Sequence, residues 1–322
     1  MPDKPKVLLT NPIHPDGAAI LAPLAEMVVA PDARHETLRR LAADVTGIVV
    51  RAMLPDDIAD HAPKLKAMVR HGVGLDFIPV EAATKRGVIV ANLPGSNTQA
   101  VAEYYFTALT HLRRPLYRMD ASLRRDGWDT ARALANATAE LGGGTLGVIG
   151  LGAVGSRVAR IGGAGFGMTV IGCDAHQKHP PAGVELVDLT EMFARSDAIA
   201  VCCALTEETR GLVGRDLLAR MKPSAVLVNM ARGPIVDTAA LVEALAAKRI
   251  AGAALDVYDV HPVPPESPLF GLPNLLLTPH VAAITTTSMR AMSVGAAEEM
   301  ARILRGEPPR NFVNREGLEG AK

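Results

Sequence analysis

"GVIGLGAVGSRVA", residues 147–159, decides the fold. An apolar run leads into Gly150, Gly152 and Gly155, spaced G-x-G-x-x-G, and a helical pattern begins directly behind them. In that setting the first glycine makes the tight turn, the second lets backbone approach a pyrophosphate, and the third lets strand and helix pack closely. The helix start then offers N–H groups and the positive end of its dipole to phosphate. After the helix, "MTVIGCD" delivers Asp174, nineteen residues beyond Gly155. A carboxylate there accepts hydrogen bonds from both adenosine ribose hydroxyls and repels a 2′-phosphate. The stretch reads as a dinucleotide site favouring NAD, with His176 and Lys178 weighing the other way.

Working outward, both flanks repeat the strand–helix–strand rhythm of a parallel sheet. Upstream, strands are expected at 6–10, 27–30, 47–50, 66–70 and 87–92, with helices at 34–43 and 56–62. Residues 98–121 form a longer helical pattern with a kink or end near Pro115, and Trp128 falls in a polar stretch read as loop. Downstream, strands are expected at 198–203, 225–230, 251–257 and 274–278, with helices at 153–164, 188–195, 214–220, 238–248 and 284–305. The fold class is α/β: a doubly wound dinucleotide-binding unit together with a second α/β unit.

The composition agrees with this. The chain has 322 residues, 48% of them hydrophobic, and a formal net charge of zero. That is enough for two domains with substantial cores, and it gives no electrostatic pull toward nucleic acid or anionic membrane. The three cysteines, Cys173, Cys202 and Cys203, have neither a disulfide framework nor zinc spacing, so no metal is expected. No segment reaches signal-peptide or membrane-spanning length and character, so a cytoplasmic protein without membrane or nucleic-acid partners is expected.

Nicotinamide chemistry on a hydroxy or oxo acid needs a cation for the carboxylate and a group that moves the hydroxyl proton. Arg232, in "AVLVNMARGPIVD", is costly behind so apolar a strand unless an anion meets it, and its planar fork suits a carboxylate. Gly233 allows close approach. His280, ending "NLLLTPH", follows another strand, and strand carboxyl ends are where open α/β sheets place ligands; histidine is the natural proton carrier near neutrality. An acid commonly orients such an imidazole. The stretch "LDVYDVHPVPPESPL" (255–269) offers Asp256, Asp259, His261 or Glu266 as its neighbour, and sequence alone leaves the choice open.

Taken together these segments resemble the D-2-hydroxyacid dehydrogenase family, of the phosphoglycerate and glycerate dehydrogenase kind. "HGVGLDFI" (71–78), "VIVANLPGSNTQAVAE" (88–103), the glycine loop, "CCALTEETRGLV" (202–213), "LVNMARGPIVD" (227–237), "IAGAALDVYDVHPVPPESPL" (250–269) and "LLLTPH" (275–280) match in order and spacing over almost the whole chain. The resemblance implies a nicotinamide-binding Rossmann-type domain, 99–291, inserted into a flavodoxin-like substrate domain made of 1–98 and 292–322. It also implies a homodimer and a substrate cleft. Arg232 would bind the substrate carboxylate and carbonyl, and His280 would be the acid/base. Val73 and Gly74 would offer amides to the carboxylate, and Asn97 would order the cleft. Ala153, Val154, Asp174, Cys203, Met230, Ala231, Arg232, Asp256 and His280 would line NAD beside the three glycines.

Two positions depart from the family pattern. The glutamate that pairs with the catalytic histidine stands five places after the aspartate of "LDV", and here that place holds His261. A neutral imidazole can orient His280 without supplying negative charge. Ala204 stands where proline is usual, which predicts a looser loop. Arg51, after "GIVV", is a candidate for a second anionic group on the substrate. Alternative readings are an NAD(H)-binding regulatory protein that has lost catalysis and an enzyme acting on a non-hydroxy acid.

Overall fold

The computed structural model describes residues 4–177 and 179–319, so Lys178 lies outside the described residues. The chain divides into two compact units, one of residues up to Asn97 with those from Ile284 onward, the other Thr98–Ala283. The second crossing therefore falls at Ile284, ahead of the expected 292. A break at 292 would cut the helix Thr286–Leu304, which instead stays whole and packs on the first unit's sheet.

The first unit holds five parallel strands: β1 Lys6–Leu9, β2 Glu26–Val29, β3 Gly47–Val50, β4 Ala67–Arg70 and β5 Ile89–Ala91. Their order is β2-β1-β3-β4-β5, the flavodoxin-like arrangement. Alternation along each strand fills two cores. Leu8, Ile48, Val50, Met68 and Val90 face one core with Leu38. Val7, Leu9, Val49, Val69 and Ala91 face the other, against Met292, Ala296 and Met300. Sheets buried on both faces read as continuous apolar runs, which is why the sequence signals these strands so plainly.

The second unit holds seven parallel strands: β6 Thr145–Ile149, β7 Thr169–Cys173, β8 Val184–Leu186, β9 Ala198–Val201, β10 Val226–Asn229, β11 Gly252–Leu255 and β12 Leu275–Leu277. Their order is β12-β11-β10-β9-β6-β7-β8. Strand order reverses between β6 and β9, and ligands bind open α/β sheets at the crevice so formed. Again two cores flank the sheet, with Ile199, Val201 and Leu227 on one face and Ala198, Ala200, Val226 and Val228 on the other.

The helical pattern 98–121 ends and restarts at Pro115 as expected, giving Thr98–Arg113 and Leu116–Asp126, because proline cannot donate into a helical turn. Other local expectations change. Segment 56–62 shortens to a 3₁₀ turn, Ile58–His61. Trp128 does not lie in a loop. It starts a short helix, Trp128–Ala133, after Gly127 has turned the chain at φ 84°. Among the described residues no helix is long and apolar enough to cross a membrane.

One buried histidine in the first unit gives stability a pH dependence. His71 is 4% exposed, and its Nε2 lies 2.8 Å from Ser293 Oγ, which accepts the His14 amide at 2.9 Å. With that lone pair engaged, the serine can donate its hydrogen to an unprotonated Nε2. Burial first, then the Arg51 and Arg70 charges, push the His71 pKa down to about 4. Below the unfolded value of 6.5 the unfolded chain binds a proton that the folded chain refuses, so stability falls with pH from there down to about 4. At pH 5 the expected loss from this group is about 2 kcal/mol relative to pH 7. Urea unfolding of wild type and His71→Gln at both pH values checks it: the pH difference should shrink by about that amount in the variant.

Candidate active site

The glycine loop connects β6 to the helix Ala153–Phe166. Gly150 has φ 86°, a left-handed conformation that favours glycine. A Cβ there would also stand 2.7 Å from the Cys203 backbone, so the loop after β6 lies directly against the loop after β9. A Cβ on Gly155 would collide with the Gly150 carbonyl oxygen. Gly152, by contrast, has nothing within 4 Å of where its Cβ would be. As N-cap it also brings no side chain to the helix start. A backbone cradle that is open at its middle glycine and faces helix N–H groups fits a pyrophosphate.

Asp174, beyond β7, sits beside this loop. Its Oδ2 accepts the Leu151 amide at 2.7 Å and its Oδ1 accepts the His176 amide at 2.9 Å. Two backbone donors aim the carboxylate and leave it further accepting capacity. Cys202 is half-buried, and its burial drives the thiol well above the usual range; burial likewise pushes Cys203 up to about 11. Both are packing residues rather than nucleophiles. The loop after them is not loose at Ala204: Thr209 Oγ1 donates to the Ala204 carbonyl at 2.7 Å and accepts the Thr206 amide at 2.8 Å.

Arg232 follows β10, its turn set by Asn229, which sequence reasoning passed over. Asn229 is 1% exposed; its side chain donates to the Arg232 carbonyl at 2.9 Å and accepts the Ala231 amide at 3.1 Å. Arg232 Nη1 donates to the Ala231 carbonyl at 2.7 Å. Met230 and Ala231 are buried. Gly233 does permit a close approach, to protein backbone: a Cβ would overlap the Tyr258 carbonyl and stand 2.6 Å from the Asp259 nitrogen. That contact locks the Arg232 turn to the loop carrying His261. Asp237, meanwhile, caps the helix Thr238–Ala246 through the Ala240 amide.

Of the four possible neighbours of His280, two carboxylates are engaged by other groups. Asp256 is fully buried and holds the His280 turn from beneath, accepting from Thr278 Oγ1 at 2.7 Å and from the Val281 and Ala282 amides at 2.8 Å each. Asp259 accepts from Thr238 Oγ1 at 2.6 Å. Glu266 is exposed. The ring beside His280 is His261, with centroids 5.7 Å apart and planes 39° apart. The Tyr258 amide donates to His261 Nε2 at 3.4 Å, which leaves the ring hydrogen on Nδ1. His280 itself stands at φ 56°, a sparsely populated conformation for a residue with a side chain.

The remaining candidates lie in the first unit. Arg70 donates to the carbonyls of Val50, His71 and Gly74 at 2.7, 3.3 and 3.0 Å, so it braces the loop and is not a surface charge. Asn92 holds the Val73 carbonyl at 2.8 Å and the Leu93 amide holds that of Gly72 at 2.8 Å. With those carbonyls occupied, the amides of Val73 and Gly74 donate to no protein acceptor among the described residues. Arg51 is half-buried, which lowers its pKa, and its Nη1 donates to the Pro12 carbonyl. Asn97 is half-buried at the foot of the helix Thr98–Arg113. Among the described residues no cluster of His, Cys, Asp and Glu could hold a metal ion.

Known proteins are similar to this chain over most of its length. The family model for the D-isomer specific 2-hydroxyacid dehydrogenase, NAD binding domain, matches residues 106–282. The chain is 41% identical over 315 residues to D-3-phosphoglycerate dehydrogenase of Methanocaldococcus jannaschii, covering 96% of this chain and 59% of that protein. It is 36% identical over 328 residues to glyoxylate reductase of Aeropyrum pernix, covering 97% of each. The structure of an NADPH-dependent glyoxylate/hydroxypyruvate reductase from Sinorhizobium meliloti, in complex with NADP and malonate, superposes with a TM-score of 0.84 at 30% identity, over 97% of each chain. The chain belongs to the D-isomer specific 2-hydroxyacid dehydrogenase family, whose members are nicotinamide-dependent oxidoreductases. It spans about three-fifths of the length of the phosphoglycerate dehydrogenases it matches.

Proposed function

We propose that this protein is an NAD-dependent dehydrogenase interconverting a small D-2-hydroxy acid and its 2-oxo acid. One observation carries the reading: the glycine loop, Asp174, Arg232 and His280 all emerge at the carboxyl ends of strands in one sheet, on either side of its switch point. When bound, the nicotinamide supplies or accepts the hydride. Arg232 holds the substrate carboxylate and polarises the carbonyl oxygen, a role suited to a delocalised cation with forked donors. His280 returns the proton to that oxygen in reduction and removes it in oxidation. Val73, Gly74, Asn97 and Arg51 are the substrate contacts of the first unit. The held Asp174 carboxylate favours NAD by disfavouring a 2′-phosphate. Three free thiols suit a reducing, cytoplasmic setting.

The test is oxidation of NADH against glyoxylate, hydroxypyruvate, phosphohydroxypyruvate, 2-oxoglutarate and sulfopyruvate. At least one should be reduced, with NADPH slower by about tenfold or more through carboxylate–phosphate repulsion. A preference for the doubly anionic acids, lost in Arg51→Ala, would identify Arg51 as the second-anion contact. Tight NADH binding without turnover of any acid would replace the enzyme reading with a regulatory one.

His261 is the partner of His280 in this reading. A carboxylate in its place would favour imidazolium on His280, so His261→Glu should carry reduction about one pH unit or more further into the alkaline range. Superimposable pH–rate profiles of wild type and variant would remove His261 from the mechanism.

The proposed assembly is a homodimer. Leu116, Tyr117, Leu123, Trp128 and Leu134 are all exposed, Leu116 and Trp128 at 66% each, within one short stretch of helices in the second unit. So dense an apolar patch favours a protein partner, and a second copy is the partner the family resemblance implies. Trp128→Asp should shift the sedimenting species from dimer to monomer, and the lone tryptophan's emission gives an independent readout in wild type on dilution. A monomeric wild type at micromolar concentration would exclude this assembly.

A further inference from the structure

The turn that carries His280 is held by hydrogen bonds on both flanks, and one of the groups involved comes from a distant helix. Thr278 Oγ1 donates to Asp256 Oδ1 at 2.7 Å, and a hydroxyl has one hydrogen to give. Tyr104 Oη lies 2.6 Å from the same threonine oxygen. Because the threonine hydrogen is committed to Asp256, the phenol must be the donor. Tyr258 adds a second hold on the same residue, its hydroxyl hydrogen shared between the Thr278 carbonyl at 2.8 Å and the Leu255 carbonyl at 3.1 Å. On the far flank, the Val281 and Ala282 amides are fixed by Asp256. Between these flanks His280 stands at φ 56°. A non-glycine residue keeps such a backbone only where its surroundings over-determine it.

Tyr104 is placed to hold this turn throughout the working range. It sits in the helix Thr98–Arg113, 174 residues before Thr278. Burial pushes its hydroxyl up to about 12, so it remains a donor at any pH where a histidine shuttles protons. Nothing in its own stretch, "AEYYFTA", marks it, since a tyrosine on a half-apolar helix is ordinarily packing.

We propose that Tyr104 is a positioning residue for His280: its phenol, relayed through Thr278 to Asp256, sets the direction in which the imidazole is presented. The proposal rests on His280 being the proton-transfer group of the function proposed above. It adds a specific hydroxyl in the second unit whose removal acts on that histidine and on little else.

Tyr104→Phe removes the hydroxyl and keeps the ring. It should lower kcat about tenfold, as a small misplacement of a proton-transfer group does. KM for NADH and the thermal midpoint should stay near wild type. In a His280→Ala background the same change should cost nothing further, because the group it aims is gone. A kcat equal to wild type, or the same fold loss in both backgrounds, overturns the proposal. A readout that needs no turnover separates this from failure of the function itself. The His280 ring resonances in the apoprotein should shift or broaden in Tyr104→Phe, with His261 as the internal comparison. If they are unchanged, the relay is wrong whatever the substrate; if they change in a protein inactive on every 2-oxo acid, the relay stands and the assigned reaction falls.

Discussion

The Asp256 carboxylate, fully buried at the end of β11, is the constraint on which the reacting end of the site depends. A carboxylate withdrawn from water is costly unless donors replace the lost hydration. Here three do, a hydroxyl and two amides, all drawn from residues 278–282. The cost of burying the charge and the strain of a left-handed His280 are therefore met by the same hydrogen bonds. Removing any one of them leaves both a buried acceptor short of a partner and a turn short of a hold, so the elements are coupled and not additive.

The dinucleotide end is built on a different principle. Its loop is defined by side chains that are missing. Gly150 admits the Cys203 backbone, Gly155 admits the Gly150 carbonyl, and Gly152 leaves an opening. Two glycines serve the protein's own packing, and the third leaves space beside the helix start. An adjacent pair of cysteines, Cys202 and Cys203, lies beside the loop as inert packing: their thiols are raised by burial and lack the electropositive setting that makes a cysteine reactive.

Most of the fold was legible because the inner strands of both sheets are covered on both faces and read as apolar runs, whereas the edge strand β8, Val184–Leu186, with an acid at its centre and little burial, gave no such signal. Gly150, Asp174, Arg232 and His280 were legible for a related reason, being polar or conformationally special residues directly behind such runs. The rest was hidden for other reasons. Tyr104 and Thr278 make hydrogen bonds to partners distant in the chain, whereas Asn229 bonds only two and three residues ahead and nothing in its apolar run marks it. Trp128 was read as loop because "RRDGWDT" is polar, and a helix of six residues that buries only Ala131 carries no hydrophobic period to detect. The residues alone left Asp256, Asp259, His261 and Glu266 open, and only the family resemblance singled out position 261. The choice turns on where one proline-rich loop aims each side chain, and Gly233, by letting Tyr258 press against the Arg232 turn, fixes that aim from a separate segment.

The strand order converts these separate devices into one line. Reading across the sheet from β12 through β11, β10, β9 and β6 to β7, the carboxyl ends carry in turn His280, Asp256, Arg232, Cys203, Gly150 and Asp174. Parallel strands stand about 4.8 Å apart, so six neighbouring ends span roughly 24 Å, the scale of an extended dinucleotide with a small acid at one end. The order is also chemically sensible. In the proposed reading, the histidine and the guanidinium fall toward one end, the glycine loop at the switch point, and the Asp174 carboxylate toward the other. No chain order would reveal that line, because β6 and β7 precede all the others in sequence. Doubly wound topology reverses the strand order at the switch point and so places the earliest motif beside the middle of the sheet. It is this reversal that brings a glycine loop near residue 150 and a histidine at 280 to the same edge of one sheet.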